Sequence, residues 1–113
     1  IRVKMPTYNK LVRDKIPEII KEQGKACEFY VADKREHGQR LIEKMREEIS
    51  EFEEDPSVEE LADIYEAFLG VLQHHNIRIS DVVFFANRKA SERGKFEKGI
   101  ILTSVQEPSP GHI

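Results

Sequence analysis

Between Lys34 and Glu54 the large apolar residues fall at Leu41, Ile42, Met45, Ile49 and Phe52. Recurrence every three or four positions is the period of an amphipathic helix, and it predicts one long helix across this span. Leu61, Ile64, Tyr65, Phe68, Val71 and Leu72 repeat the pattern to about His75, where Asn76 suits the left-handed position that ends a helix. Between the two runs, "DPS" offers two helix starts. One uses Asp55 with Pro56 at the first helical position; the other uses Ser57 and Glu60 as a capping box. Either start leaves a tight connection, so the two helices are expected to be antiparallel neighbours.

The rest of the chain reads as shorter elements. Asp14 can cap a helix near 15–23, with Pro17 in its opening turn and Gly24 at its end. Ser80 can cap "DVVFFANRKASER", which Gly94 would close. "CEFYVA" and "GIILTSV" are rich in aromatic and β-branched residues and read as two strands able to pair. The tail "QEPSPGHI" has no apolar pattern and is expected to be loosely ordered. The pattern therefore predicts a mainly α fold: a single domain over 1–105 built on an antiparallel helical pair, a small two-stranded β-ribbon, and a flexible tail over 106–113.

Composition narrows the class. A chain of 113 residues, 39% hydrophobic and 35% charged, fits one modest core, and no apolar run approaches the length of a membrane span. "IRVKMPTYNK" lacks the apolar stretch of a secretory signal, and Cys27 has no second cysteine to pair with; both suggest the cytoplasm. The net charge of −3 hides a segregation. "REEISEFEEDPSVEELAD", Arg46 to Asp63, is dense in carboxylates, whereas residues 2–25 and 88–98 are predominantly basic. The acidic belt argues against direct binding of a nucleic-acid backbone.

The helical period places some of these acids together. On the first long helix Glu48 lies about 70° and Glu51 about 130° to one side of the apolar stripe, while Glu47 points toward solvent. On the second, Glu60 lies about 80° and Asp63 about 140° from the stripe, in the same rotational sense. Across an antiparallel pair, offsets of one sense share an edge. Glu51 and Glu60 are equidistant from the turn, as are Glu48 and Asp63, so two rungs of facing carboxylates result. Four such groups do not all stay ionised at close range without a counter-charge. A divalent cation supplies one, and hard oxygen ligands that leave room for water and phosphate suit Mg²⁺ or Mn²⁺. The competing account is a solvated acidic face, with Glu60 merely completing the capping box. His74 and His75 read as dipole partners at a helix C-terminus, and Cys27 as a small core residue in a strand.

"EEISE" followed by "EELAD" resembles the ExxE…ExxD metal signature of the all-α NTP pyrophosphatase (MazG-like) superfamily. "YNKLVRDKIPEII" and "KASERGKFEKGIIL" resemble its phosphoribosyl-ATP-pyrophosphohydrolase-like house-cleaning branch, and together the segments span Tyr8 to about Val105. The resemblance implies an all-α bundle that hydrolyses a nucleoside triphosphate to monophosphate and pyrophosphate with Mg²⁺, usually as a homodimer or higher oligomer. It implies metal ligation by Glu48, Glu51, Glu60 and Asp63, with Glu48 also assisting proton uptake. Lys10, Arg13, Lys15, Lys89, Arg93 and Lys98 become candidate phosphate or substrate contacts, although Arg13 could instead pair with Asp14. The gap from Glu51 to Glu60 is shorter than is common in the superfamily, which puts any substrate-shaping loop of longer relatives in doubt. Two other functions stay open: a phosphoribosyl-ATP pyrophosphohydrolase, and a catalytically silent nucleotide-binding or oligomerisation module.

Overall fold

The computed structural model describes residues 9–106. They form four helices: α1 (Ile16–Glu22), α2 (Lys34–Glu54), α3 (Val58–His74) and α4 (Ile79–Arg93). The chain divides into two compact units, Ile1–Ile79 and Ser80–Ile113.

The first unit is organised by α2 and α3. Asp33 starts α2 by accepting the Glu36 amide at 2.8 Å, and Ser57 starts α3 by accepting the Glu60 amide at 3.2 Å, so of the two starts in "DPS" the serine cap forms. Asn76 ends α3 with φ of 55°, its amide reaching the Gln73 carbonyl and that of Ile77 the Leu72 carbonyl. Gly24 closes α1 with the same double bond pattern, through Lys21 and Ile20. The N-cap of α1 is Lys15, with no side-chain cap bond, so Asp14 does not serve the role expected of it.

The α2–α3 seam is narrower than the apolar stripes. Leu41, Ala67 and Leu72 are buried, with Met45, Phe52, Ile64, Phe68 and Val71 half-buried. Ile42, Ile49, Leu61 and Tyr65 are exposed. The seam on α2 thus runs through Leu41, Met45, Glu48 and Phe52, a 4-3-4 spacing that includes a carboxylate and leaves Ile42 and Ile49 on an uncovered flank. Two glycines permit close approach: a Cβ on Gly70 would lie 2.7 Å from Leu41 Cδ2, and one on Gly38 would lie 2.5 Å from His74 Nε2.

In the second unit α4 has no buried residue, and it begins at Ile79, so Ser80 lies inside its first turn rather than at its cap. Gly94 follows the helix with φ of 82°. The expected β-ribbon does not form: among the described residues there is no strand, and "CEFYVA" and "GIILTSV" are irregular. Strand propensity records how well a side chain fits a half-buried pleated surface, and these residues have no such surface; Val31 is 88% and Ile101 82% exposed. Tyr30 instead donates to the Glu36 carboxylate in the first turn of α2, and Cys27 is a half-buried loop residue rather than a core strand residue. The tail expected over 106–113 lies, from 107 onward, outside the described residues. No described helix is long and apolar enough to cross a membrane.

Candidate metal centre

The register fixed by the Leu41–Gly70 contact carries along both helices toward the turn. Glu48 comes after Leu41 by two turns on α2, and Asp63 precedes Gly70 by two turns on α3, so the two carboxylates arrive opposite each other. Glu60 is fixed one turn nearer the helix start, because its own amide is held by Ser57. One carboxylate oxygen from each of Glu48, Glu60 and Asp63 lies within 4.8 Å of the others. Glu48 is the buried member at 8% exposure; Glu60 and Asp63 are half-buried. Glu51 is exposed and outside this trio, yet near enough for its charge to act on Glu60.

The electrostatics of the three differ. Glu48 accepts an ion pair from Lys44 at 3.1 Å, one turn earlier on α2. Asp63 is held by Arg13, with Nη2 at 2.8 Å from its Oδ1. No cation among the described residues pairs with Glu60, and its carboxyl is pushed above the usual range, first by desolvation and then by the charges of Asp63, Glu48, Glu51 and Asp55. Like charges with one unpaired member form an incomplete set that further positive charge would stabilise.

The segment before α1 supplies part of the compensation. The Asn9 carbonyl accepts from Arg40 at 3.2 Å, Lys10 donates to Glu47 at 2.9 Å, and Arg13 reaches across to α3. This short stretch therefore runs along the acidic edge as a cationic strap. The Lys10 hydrogen bond holds the Glu47 carboxyl below its usual range, and the same bond raises the Lys10 ammonium.

Comparison with protein-family models, with curated proteins and with solved structures finds no match.

The donor set fits a hard divalent ion. Three carboxylate oxygens on two helices, all within 4.8 Å of one another, stand near the oxygen–oxygen spacing of about 3–4 Å that Mg–O bonds of about 2.1 Å imply, and a three-carboxylate set leaves positions for water. Among the described residues no Cys or His joins the group, so the donor set is one of hard oxygens rather than of the zinc type. Of the residues expected at the site, Glu48, Glu60 and Asp63 converge, with Glu51 beside them. Lys10 and Arg13 lie on the same edge, but bound to carboxylates; Arg13 bonds Asp63 rather than its neighbour Asp14. Lys15 is the exposed N-cap of α1. Lys89, Arg93 and Lys98 are exposed residues of the second unit.

Sequence reasoning missed Lys44 and assigned Glu47 to solvent. The spacing of Lys44 four residues before Glu48 was a readable signal for the first. The bond from Lys10 to Glu47, between residues 37 apart, had none.

Proposed function

We propose that this chain is a Mg²⁺-dependent nucleoside triphosphate pyrophosphohydrolase that releases a monophosphate and pyrophosphate, acting in nucleotide-pool house-cleaning. The observation that carries the reading is the convergence of Glu48, Glu60 and Asp63 across the α2–α3 seam, with Glu60 uncompensated. The resemblance to the MazG-like superfamily supplies the reaction class. When bound, the ion would polarise the phosphate oxygens and lower the pKa of a coordinated water.

In this reading Glu48, Glu60 and Asp63 hold the ion, and the exposed Glu51 completes the ligand set from the solvent side. Glu48, buried and fixed by Lys44, is the base that takes up the proton of the attacking water. Lys10 and Arg13 contact phosphate oxygens, with Lys15 as a further candidate in the same unit; guanidinium and ammonium groups both suit that role. The single cysteine accords with a cytosolic setting.

We further propose that the working form is a homodimer or larger assembly in which a second copy completes the helical bundle. The exposed flank of Ile42, Ile49, Leu61 and Tyr65 supports this, because the described residues bury only three apolar side chains, Leu41, Ala67 and Leu72, a small core. Sedimentation at several concentrations, with Ile49→Glu alongside, tests it: the variant should shift toward monomer, and a monomeric native chain would defeat it.

Glu48→Ala and Asp63→Ala should abolish pyrophosphate release while circular dichroism stays helical. Release from phosphoribosyl-ATP alone would reassign the substrate, and metal binding without hydrolysis of any nucleotide would indicate a silent binding module.

A further inference from the structure

The strap residues expected to touch phosphate are occupied by carboxylates, and the two differ in what they occupy. Lys10 bonds Glu47, which is outside the converging trio. Arg13 bonds Asp63, which is inside it. An ion entering the trio therefore leaves Lys10 in place and meets Arg13 as a competitor for the Asp63 carboxylate.

We propose that Arg13 is an exchangeable counter-ion: it holds Asp63 while the centre is empty, is displaced when a divalent cation binds, and then presents its guanidinium to the phosphate oxygens of an anionic ligand. The inference rests on the metal reading of the site and adds an order of binding to it, cation first and phosphate second.

The geometry favours exchange. The Arg13–Asp63 pair is solvent-exposed, at 56% and 39% of the two side chains, so it holds weakly against a doubly charged competitor. Displacement does not lose the group to solvent. On one side Asn9 is held by Arg40 and Lys10 by Glu47; on the other the Arg13 carbonyl accepts the Ile16 amide at 3.0 Å at the entry to α1. Tethered at both ends, the freed guanidinium stays beside the centre. Its planar fork matches two phosphate oxygens, which a water-exposed lysine does not.

The test is calorimetric titration of the full chain with Mn²⁺ alone, comparing native protein, Arg13→Gln, Arg13→Lys and Lys21→Gln. The last removes the same charge from α1 without removing a bond to the acidic edge. Arg13→Gln should bind Mn²⁺ about twofold to fivefold more tightly than native, the scale of an exposed ion pair removed as competitor. Arg13→Lys should fall between, and Lys21→Gln should match native. Binding by Arg13→Gln alone would support the exchange in its strongest form. Equal affinities in native and Arg13→Gln would overturn the inference and leave the metal centre standing. Absence of binding in every protein would overturn both.

Discussion

Gly70 and Leu41 set the register on which the carboxylate trio depends, and a double-mutant cycle at this pair tests it. Leu41→Ala removes a side chain that is 6% exposed and should cost about 2–4 kcal/mol, the lower part of the range for buried leucine truncation because the seam is near the surface. Gly70→Ala places a Cβ 2.7 Å from Leu41 Cδ2. Ordinary carbon contact is about 3.5–4.0 Å, so the leucine must retreat by roughly 1 Å. Overpacking of that kind costs about 1–3 kcal/mol. Replacing a mid-helix glycine returns about 1 kcal/mol in helix propensity. In the native background Gly70→Ala should thus be neutral or destabilise by up to about 2 kcal/mol. In the Leu41→Ala background no such clash exists, and the same change should stabilise by about 1 kcal/mol. Urea denaturation followed by far-ultraviolet circular dichroism, at fixed protein concentration, reads all four corners. A coupling of at least about 1 kcal/mol is expected, and additivity within about 0.5 kcal/mol would refute the packing of Leu41 over Gly70. Because Asp63 is two turns from Gly70, the single Gly70→Ala variant should also weaken Mn²⁺ binding.

Acid titration separates two further groups. Glu47 is held below its ordinary value, so the stability it contributes is present above about pH 4.5 and lost as pH falls toward its folded value. Lys10→Gln should flatten that loss by about 0.2–1 kcal/mol, the scale of an exposed pair, and unfolding curves that coincide between pH 3 and 5 would contradict it. His74 is also lowered, by desolvation and then by His75, His37 and Lys34, so the unfolded chain takes up protons first. Its contribution is fully present above about pH 6.5 and lost below it, and His74→Asn should remove that slope in thermal melts recorded from pH 7.5 to 5.5.

Much of the helical pair was legible because local signals agreed. The period from Leu41 to Phe52 announced α2, and the structure starts it at the Asp33 cap, which the sequence reading did not single out. Ser57 with Glu60, and Asn76, bracket α3 through side-chain and left-handed chemistry that acts within a few residues. His74 was less legible: the helix C-terminus favours its cation, but Gly38 lets the ring lie against α2, where burial and neighbouring imidazoles oppose it.

The candidate site was legible in its acids and less so in how its bases pair. Spacing on two helices brought Glu48, Glu60 and Asp63 together, yet the wheel put Glu48 at the border of the stripe when it lies in the seam. The apolar stripe is wider than one partner helix covers, so its centre, between Met45 and Ile49, is not the centre of contact. The residues of the strap were named as phosphate contacts, but their bonds to the acids could not be read, since Arg13 and Asp63 are 50 residues apart and no periodic signal links them. The strands failed for a related reason. "CEFYVA" and "GIILTSV" have strand composition, but composition requires a surface to pack on.

The most direct measurement is release of pyrophosphate and monophosphate from a panel of canonical and modified nucleoside triphosphates, with and without Mg²⁺, by the native chain and by Glu48→Ala. The account predicts metal-dependent release of both products from at least one nucleotide, lost in the variant. Release that persists without metal or survives Glu48→Ala would contradict it, as would no release from any member of the panel.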